Sequence, residues 1–138
     1  MTGAPVFSAD PARVDRARVH RWMSEESYWA RGRTREAQDA AIDGSRVYGV
    51  YDDESGEQLA FARVVTDTVT FAWLCDVFVD EAARGRGVGK LLVAGVVADL
   101  EPLGTRRIAL ATADAHGLYA QFGFAPLPAP ERWMTRGT

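Results

Sequence analysis

The chain has 138 residues, 47% hydrophobic and 25% charged, with a net charge of -3 at pH 7. That length suits one domain, residues 1–138, and the near-neutral balance excludes a general nucleic-acid surface, which needs a basic face. One cysteine excludes an internal disulfide and a Cys-based metal site. The start MTGAPVFSAD lacks a signal-peptide pattern, and no stretch is long enough to span a bilayer. The expectation is a cytoplasmic enzyme or binding domain, with no membrane partner.

In chain order, residues 2–7 read as a short strand. Asp10-Pro11 reads as a helix start, with Asp as N-cap and Pro at the first position. Val14, Val19, Trp22 and Met23 carry that helix to about Ser24. Residues 24–32 read as a loop or broken helix. Thr34 then opens a second helix with Ala37, Ala40, Ala41 and Ile42 on it, stopped by Gly44. Residues 46–51 and 58–65 read as strands joined by the turn Asp52-Asp53-Glu54-Ser55-Gly56. Thr66-Asp67-Thr68 leads tightly into the central strand, so the three strands form an antiparallel meander.

In that central strand Phe71, Trp73, Cys75, Val77 and Val79 alternate with period two. After the following turn, Leu91, Leu92, Val93, Val96, Val97 and Leu100 mark a helix packed on a sheet, ended by Pro102 and Gly104. Residues 107–111 read as a strand. A strand–helix–strand step of this length is a crossover, which makes the two strands parallel. Residues 115–122 read as a short helix. Gly123-Phe124 turns toward last strands, with residues 131–135 closing a hairpin and Pro126, Pro128 and Pro130 shaping the loop between.

The turn between central strand and helix is Arg84-Gly85-Arg86-Gly87-Val88-Gly89-Lys90. Its glycines admit close backbone approach and left-handed conformations. It opens a helix, where free N–H groups and the positive dipole end attract an anion. Lys90 in the first turn opposes that dipole, so three crowded cations call for a phosphate or diphosphate. An ordinary glycine-rich turn with solvated charges is the alternative. A Walker A loop is excluded, because Arg84 occupies its first glycine and Leu91 its Ser or Thr. A G-x-G-x-x-G dinucleotide loop is excluded, because Lys90 stands at its third glycine. The pattern that fits is [Arg/Gln]-x-x-Gly-x-[Gly/Ala], filled by Arg84, Gly87 and Gly89.

That pattern resembles the coenzyme A loop of the GNAT N-acetyltransferase superfamily. A second motif, Asn-x-x-Ala-x-x-x-Tyr-x-x-x-Gly-Phe, is matched at Ala115, Tyr119, Gly123 and Phe124, with Thr112 in place of Asn. The resemblance runs from about Arg46 to Phe124. It implies a mixed α+β fold, in which about four helices flank a central mixed sheet made of an antiparallel meander plus one parallel step. The sheet opens between the central strand and the strand at Ile108, and the pantetheine arm lies there against backbone at Val77, Phe78 and Val79. The diphosphate sits on Arg84, Gly85, Arg86, Gly87, Val88, Gly89 and Lys90, with Thr112 and His116 near the coenzyme.

The reaction implied is acetyl transfer from acetyl-CoA to the amine of a small molecule, by direct attack and without a metal. A protein acetyltransferase acting on a lysine or an N-terminus is the alternative, and a non-catalytic CoA-binding sensor or interaction domain is a third; a homodimer is compatible with any of them. A strand N–H near Phe78 or Val79 would hold the carbonyl oxygen, and family position makes Tyr119 the acid for the leaving thiolate. Asp76 is a carboxylate in a mostly apolar strand, costly unless paired. It reads as the amine's counter-charge or base, or as a salt bridge to Arg63. Cys75, expected on the opposite face, reads as a small buried residue. Tyr28 and Trp29 read as packing under a loop or, as the resemblance implies, as a wall of the acceptor pocket that can hold a cation, while Arg31 or Arg33 can bind a carboxylate. Trp133 reads as pocket wall or hairpin core.

Overall fold

The computed structural model describes residues 3–137, so Met1, Thr2 and Thr138 lie outside it. Five strands form one sheet in the order β1 (Pro5–Ser8), β2 (Arg46–Asp52), β3 (Gln58–Thr66), β4 (Ala72–Val79) and β5 (Ile108–Ala109). The first four are antiparallel neighbours, and β5 joins β4 in parallel after the crossover helix α3 (Val88–Leu100). Among the described residues no helix is long and apolar enough to cross a membrane.

Each face of the sheet has its own core. On one face Leu92, Val93, Val96 and Leu100 of α3 pack with Tyr48, Val50, Ala62, Val64 and Leu74. Fully burying such a Leu or Val contributes roughly 1.5–3 kcal/mol over leaving it exposed. On the other face Val19, Trp22 and Met23 pack with Ile42 against Val47, Phe61 and Phe78. These come from α1 (Arg16–Arg21) with the π turn after it, and from α2 (Arg35–Asp43).

The first helix differs from the expected one. Asp10 caps only a 3-10 turn, Pro11–Arg13, by accepting from the Ala12 N–H at 2.9 Å. The chain then extends at Val14, and Asp15 caps α1 proper through the Arg18 N–H. The restart is fixed from outside, because the Asp15 N–H donates to the side chain of buried Gln58 at 2.8 Å. The π turn Trp22–Glu26 ends the helix. Thr34 caps α2 as expected, accepting from the Ala37 N–H.

The last strands do not form among the described residues. Residues 121–137 carry only a 3-10 turn, Pro130–Arg132, entered through Ala129 at φ 53°. Pro126, Pro128 and Pro130 recur at every second residue and lack the N–H a sheet ladder needs. Trp133 is therefore not a hairpin core residue. It lies 40% exposed, with the Arg107 guanidinium 5.3 Å from its ring centre.

Candidate active site

The alternation along β4 breaks in its middle. Asp76 has φ 52°, in the left-handed region that Asp tolerates better than most residues. The pairing with β3 slips between Phe61 and Arg63, which is a β-bulge. Ala72 and Leu74 face α3 before the bulge, and Val77 and Val79 pack toward α3 after it. Phe78 is buried with α1 and α2. The expected single face Phe71, Trp73, Cys75, Val77, Val79 is thus split. Cys75 pairs with Arg63 on the α1–α2 face, the same face on which Asp76 finds its partners, so the two do not oppose each other.

Those partners are Arg33 and Arg63. Both bring a guanidinium nitrogen to 2.6 Å from the same carboxylate oxygen of Asp76, and Trp29 donates its indole N–H to the other at 2.9 Å. The Asp76 side chain is 2% exposed. Burial by itself would raise its pKa, but the hydrogen bonds from Arg33 and Arg63, the Arg63 charge and the Trp29 bond together outweigh it and hold the carboxyl below its usual range. A carboxylate so held is a poor base, and its oxygens are already engaged. The salt-bridge alternative therefore describes Asp76, with Arg33 added to Arg63; the role of base or amine counter-charge does not suit it. The Cys75 thiol is pushed up, first by its burial and then by the Asp76 charge, which Arg63 and Arg33 oppose. That agrees with an inert thiol.

The turn before α3 has the expected form. Gly85 and Gly87 have φ 81° and 75°, and Gly87 is the residue from which α3 starts. The left-handed backbone at Gly87 lets the chain turn into the helix with its first N–H groups facing outward. Arg84 donates to the Val79 carbonyl and lies 5.5 Å from the Phe78 ring centre, while Arg86 donates to the Gly3 carbonyl. None of the ion pairs among the described residues includes Arg84, Arg86 or Lys90. All three are exposed, while Val88 is buried and anchors the turn. These groups suit a diphosphate: free helix N–H groups, three cations and no carboxylate already paired with them.

Tyr119 stands on α4 (His116–Ala120), 7% exposed, with its ring edge-on to Phe124. Burial, with smaller contributions from Asp114 and Tyr28, pushes its pKa up to about 12, so the phenol keeps its proton at neutral pH. It borders a cavity of about 670 Å³ that lies between residues 105–112, α4 and residues 122–128, and that Thr112 and His116 also line. The Thr112 hydroxyl accepts from the N–H groups of Asp114 and Ala115. Thr112 thus braces the entry to α4 where the family pattern has Asn. His116 is exposed at the start of α4.

The remaining candidates meet at an opening in the sheet. β4 and β5 pair only at Ala72–Ile108 and Trp73–Ala109. Beyond that point the loop after α1 spans the two. Trp29 reaches Asp76 of β4, and the Tyr28 hydroxyl accepts from the Ala113 N–H beyond β5 at 3.3 Å. The two rings meet edge to face, 5.0 Å between centres. The residues that sequence reasoning left unconnected are Arg33 and Arg63 as a pair. A lone Asp in an apolar strand demanded a partner, and the adjacent strand offered Arg63; nothing in the sequence pointed to Arg33 as the second.

With this geometry established, comparison with known proteins gives one consistent family. A sequence profile of the acetyltransferase (GNAT) family matches residues 16–124. A serotonin N-acetyltransferase 2 of rice, a chloroplastic protein, is 37% identical over 98 residues, covering 68% of this chain and 49% of the relative, so the chain spans about half that protein's length. A Xanthomonas campestris structure assigned to the GNAT family is 40% identical with a TM-score of 0.91, covering 100% of this chain and 96% of that one. A Mycobacterium tuberculosis protein solved in complex with CoA shares the fold at 17% identity and a TM-score of 0.70, over 90% of this chain and 76% of that one.

Proposed function

This chain belongs to the GNAT acetyltransferase family, and on that footing we propose that it moves the acetyl group of acetyl-CoA to the amine of a small molecule, by direct attack in a ternary complex. The observation that carries the small-molecule reading is the bridge of Tyr28 and Trp29 across the gap between β4 and β5. From Trp73, the last paired residue, to Asp76 under the bridge is three residues, or about 10 Å of strand. An opening of that length suits a compact acceptor better than an extended peptide.

The cations and glycines from Arg84 to Lys90 hold the diphosphate of the donor, with the helix N–H groups of Val88 and Gly89 behind them. The backbone of Val77, Phe78 and Val79 borders the gap and supplies N–H groups for the pantetheine arm and for the carbonyl oxygen as it gains charge. Tyr119 gives its proton to the departing thiolate. Its raised pKa keeps the phenol protonated across neutral and alkaline pH. Asp76 acts as a positioning residue, fixing Trp29, Arg33 and Arg63 beside the amine.

Calorimetric titration with CoA and with pantetheine, together with release of CoA over a panel of amines, tests the proposal. Arg84→Ala and Lys90→Ala each weaken CoA about 10-fold, the scale of one lost charge-assisted hydrogen bond, and leave pantetheine nearly unaffected. Equal loss for both ligands removes the diphosphate assignment. CoA binding without turnover of any amine favours a sensor.

A further inference from the structure

The cluster around Asp76 carries more positive charge than its carboxylate neutralises. Arg33 and Arg63 both lean on Asp76, and no other acid pairs with either among the described residues. Two guanidiniums against one carboxylate leave a charge of +1 at the gap. Asp76 is shut away at 2% side-chain exposure, while Arg33 and Arg63 keep 22% and 15%. What the acceptor meets there is therefore cationic. A polyamine or any amine with extra positive charge is repelled.

The arrangement of Arg63 is specific. Its Nε donates to Asp76 and one terminal nitrogen donates to the Ser45 hydroxyl at 3.3 Å. The second terminal nitrogen has no such bond among the described residues and can present N–H groups to a ligand. Arg63 pairs with Cys75, one residue from the bulge, and the next pair on the same face is Val65 with Trp73. These two are 44% and 38% exposed, at the turn end of β3 and β4. A guanidinium thus adjoins an open apolar shelf, with the aromatic bridge at the far end of the gap.

We propose that the acceptor is an amine that also carries a carboxylate, held by Arg63 with Arg33 behind it, while its apolar part lies on Trp73 and Val65. The proposal rests on the small-molecule reading above and narrows it to one class. A planar carboxylate matches the guanidinium fork, and the ion pair to Asp76 keeps that fork from turning away.

The experiment uses matched amines that differ by the carboxylate alone: tryptophan with tryptamine, phenylalanine with phenethylamine, and β-alanine with ethylamine. Ethanolamine phosphate with ethanolamine forms a phosphate arm. In the wild-type enzyme the carboxylated member of at least one pair has kcat/KM about 10-fold or more above its partner, the scale of a charge-assisted hydrogen bond. Arg63→Gln lowers that ratio toward one, and Arg63→Lys restores part of it. A merely structural Arg63 lowers both members alike and leaves the ratio intact, which overturns the proposal. Wild-type preference for the uncharged partners, or for the phosphate arm, also overturns it while acetyl transfer to small amines stands. Absence of turnover with every amine, with acetyl-CoA still bound, sinks both readings. Should Arg63→Gln fail to fold, the wild-type ratios alone decide.

Discussion

The turn before α3 and the bulge of β4 handle charge in opposite ways. At the turn, Arg84, Arg86 and Lys90 stand exposed with no carboxylate paired to them among the described residues. At the bulge, one buried carboxylate collects two guanidiniums and an indole N–H. The geometry of the first region comes from its own backbone. The second is closed on itself and made from three separate parts of the chain, the loop before α2, β3 and β4. The two regions therefore differ in what a mutation is expected to do: on the proposed reading damage to the turn lowers CoA affinity, and damage to the bulge lowers stability.

Asp76→Asn tests that contrast with the largest effect. Asn accepts the left-handed backbone as Asp does, so the change isolates the charge. Losing it leaves two guanidiniums facing each other and costs about 3 kcal/mol, measured by denaturant unfolding, in line with breaking a buried pair. A loss of only a few tenths would make the cluster solvated and erase the contrast. The same carboxylate sets a pH dependence. Its pKa is lowered in the folded protein, so its stabilisation is fully present above the unfolded value near ~3.9 and is lost as pH falls through the folded one. Acid unfolding of Asp76→Asn is flatter than wild type below about pH 4, the unfolded carboxylate range.

Tyr119→Phe comes next. It slows release of CoA about 100-fold, or about 2.7 kcal/mol of barrier, the lower range for a lost general acid, while acetyl-CoA binding by calorimetry stays unchanged. With the phenol raised to about 12, the wild-type rate shows no alkaline decline with an apparent pKa near 10. A decline there would place a different group at the thiolate. Gly87→Ala has the smallest effect. A methyl at Gly87 meets open space, so only the left-handed backbone resists it, at about 1 kcal/mol. That shows as a small loss in stability and in CoA affinity together. A larger loss would mean the turn is less self-contained than its geometry shows.

Much of the donor side was legible in the sequence because it is local. Arg84, Gly87, Gly89 and Lys90 lie in one short run, and the function of that run depends on backbone dihedrals and a helix start that the same residues dictate. The meander, the crossover and the parallel step were legible for a related reason: strand and helix periods are local, and short turns restrict how neighbours pair. The failures share the opposite character. The period-two pattern runs through Asp76 unbroken in letters, yet the backbone inserts a bulge there, because a carboxylate on this strand can be satisfied only by turning toward Arg33 and Arg63. The first helix was placed five residues early, since nothing near Asp10 shows that the Asp15 N–H will bond Gln58, forty-three residues away. The expected final hairpin overlooked that prolines at every second residue withdraw the donors of one strand edge.

The sequence by itself determined where cations and glycines crowd a helix start, which helix starts there, and which strands lie side by side, since each of these follows from residues close together in the chain. Only the tertiary structure decided what Asp76 does and how the β4–β5 gap is covered. A buried charge takes whichever partners the packed elements bring within about 3 Å, and those partners come from the loop before α2 and from β3, whose meeting with β4 no local pattern encodes.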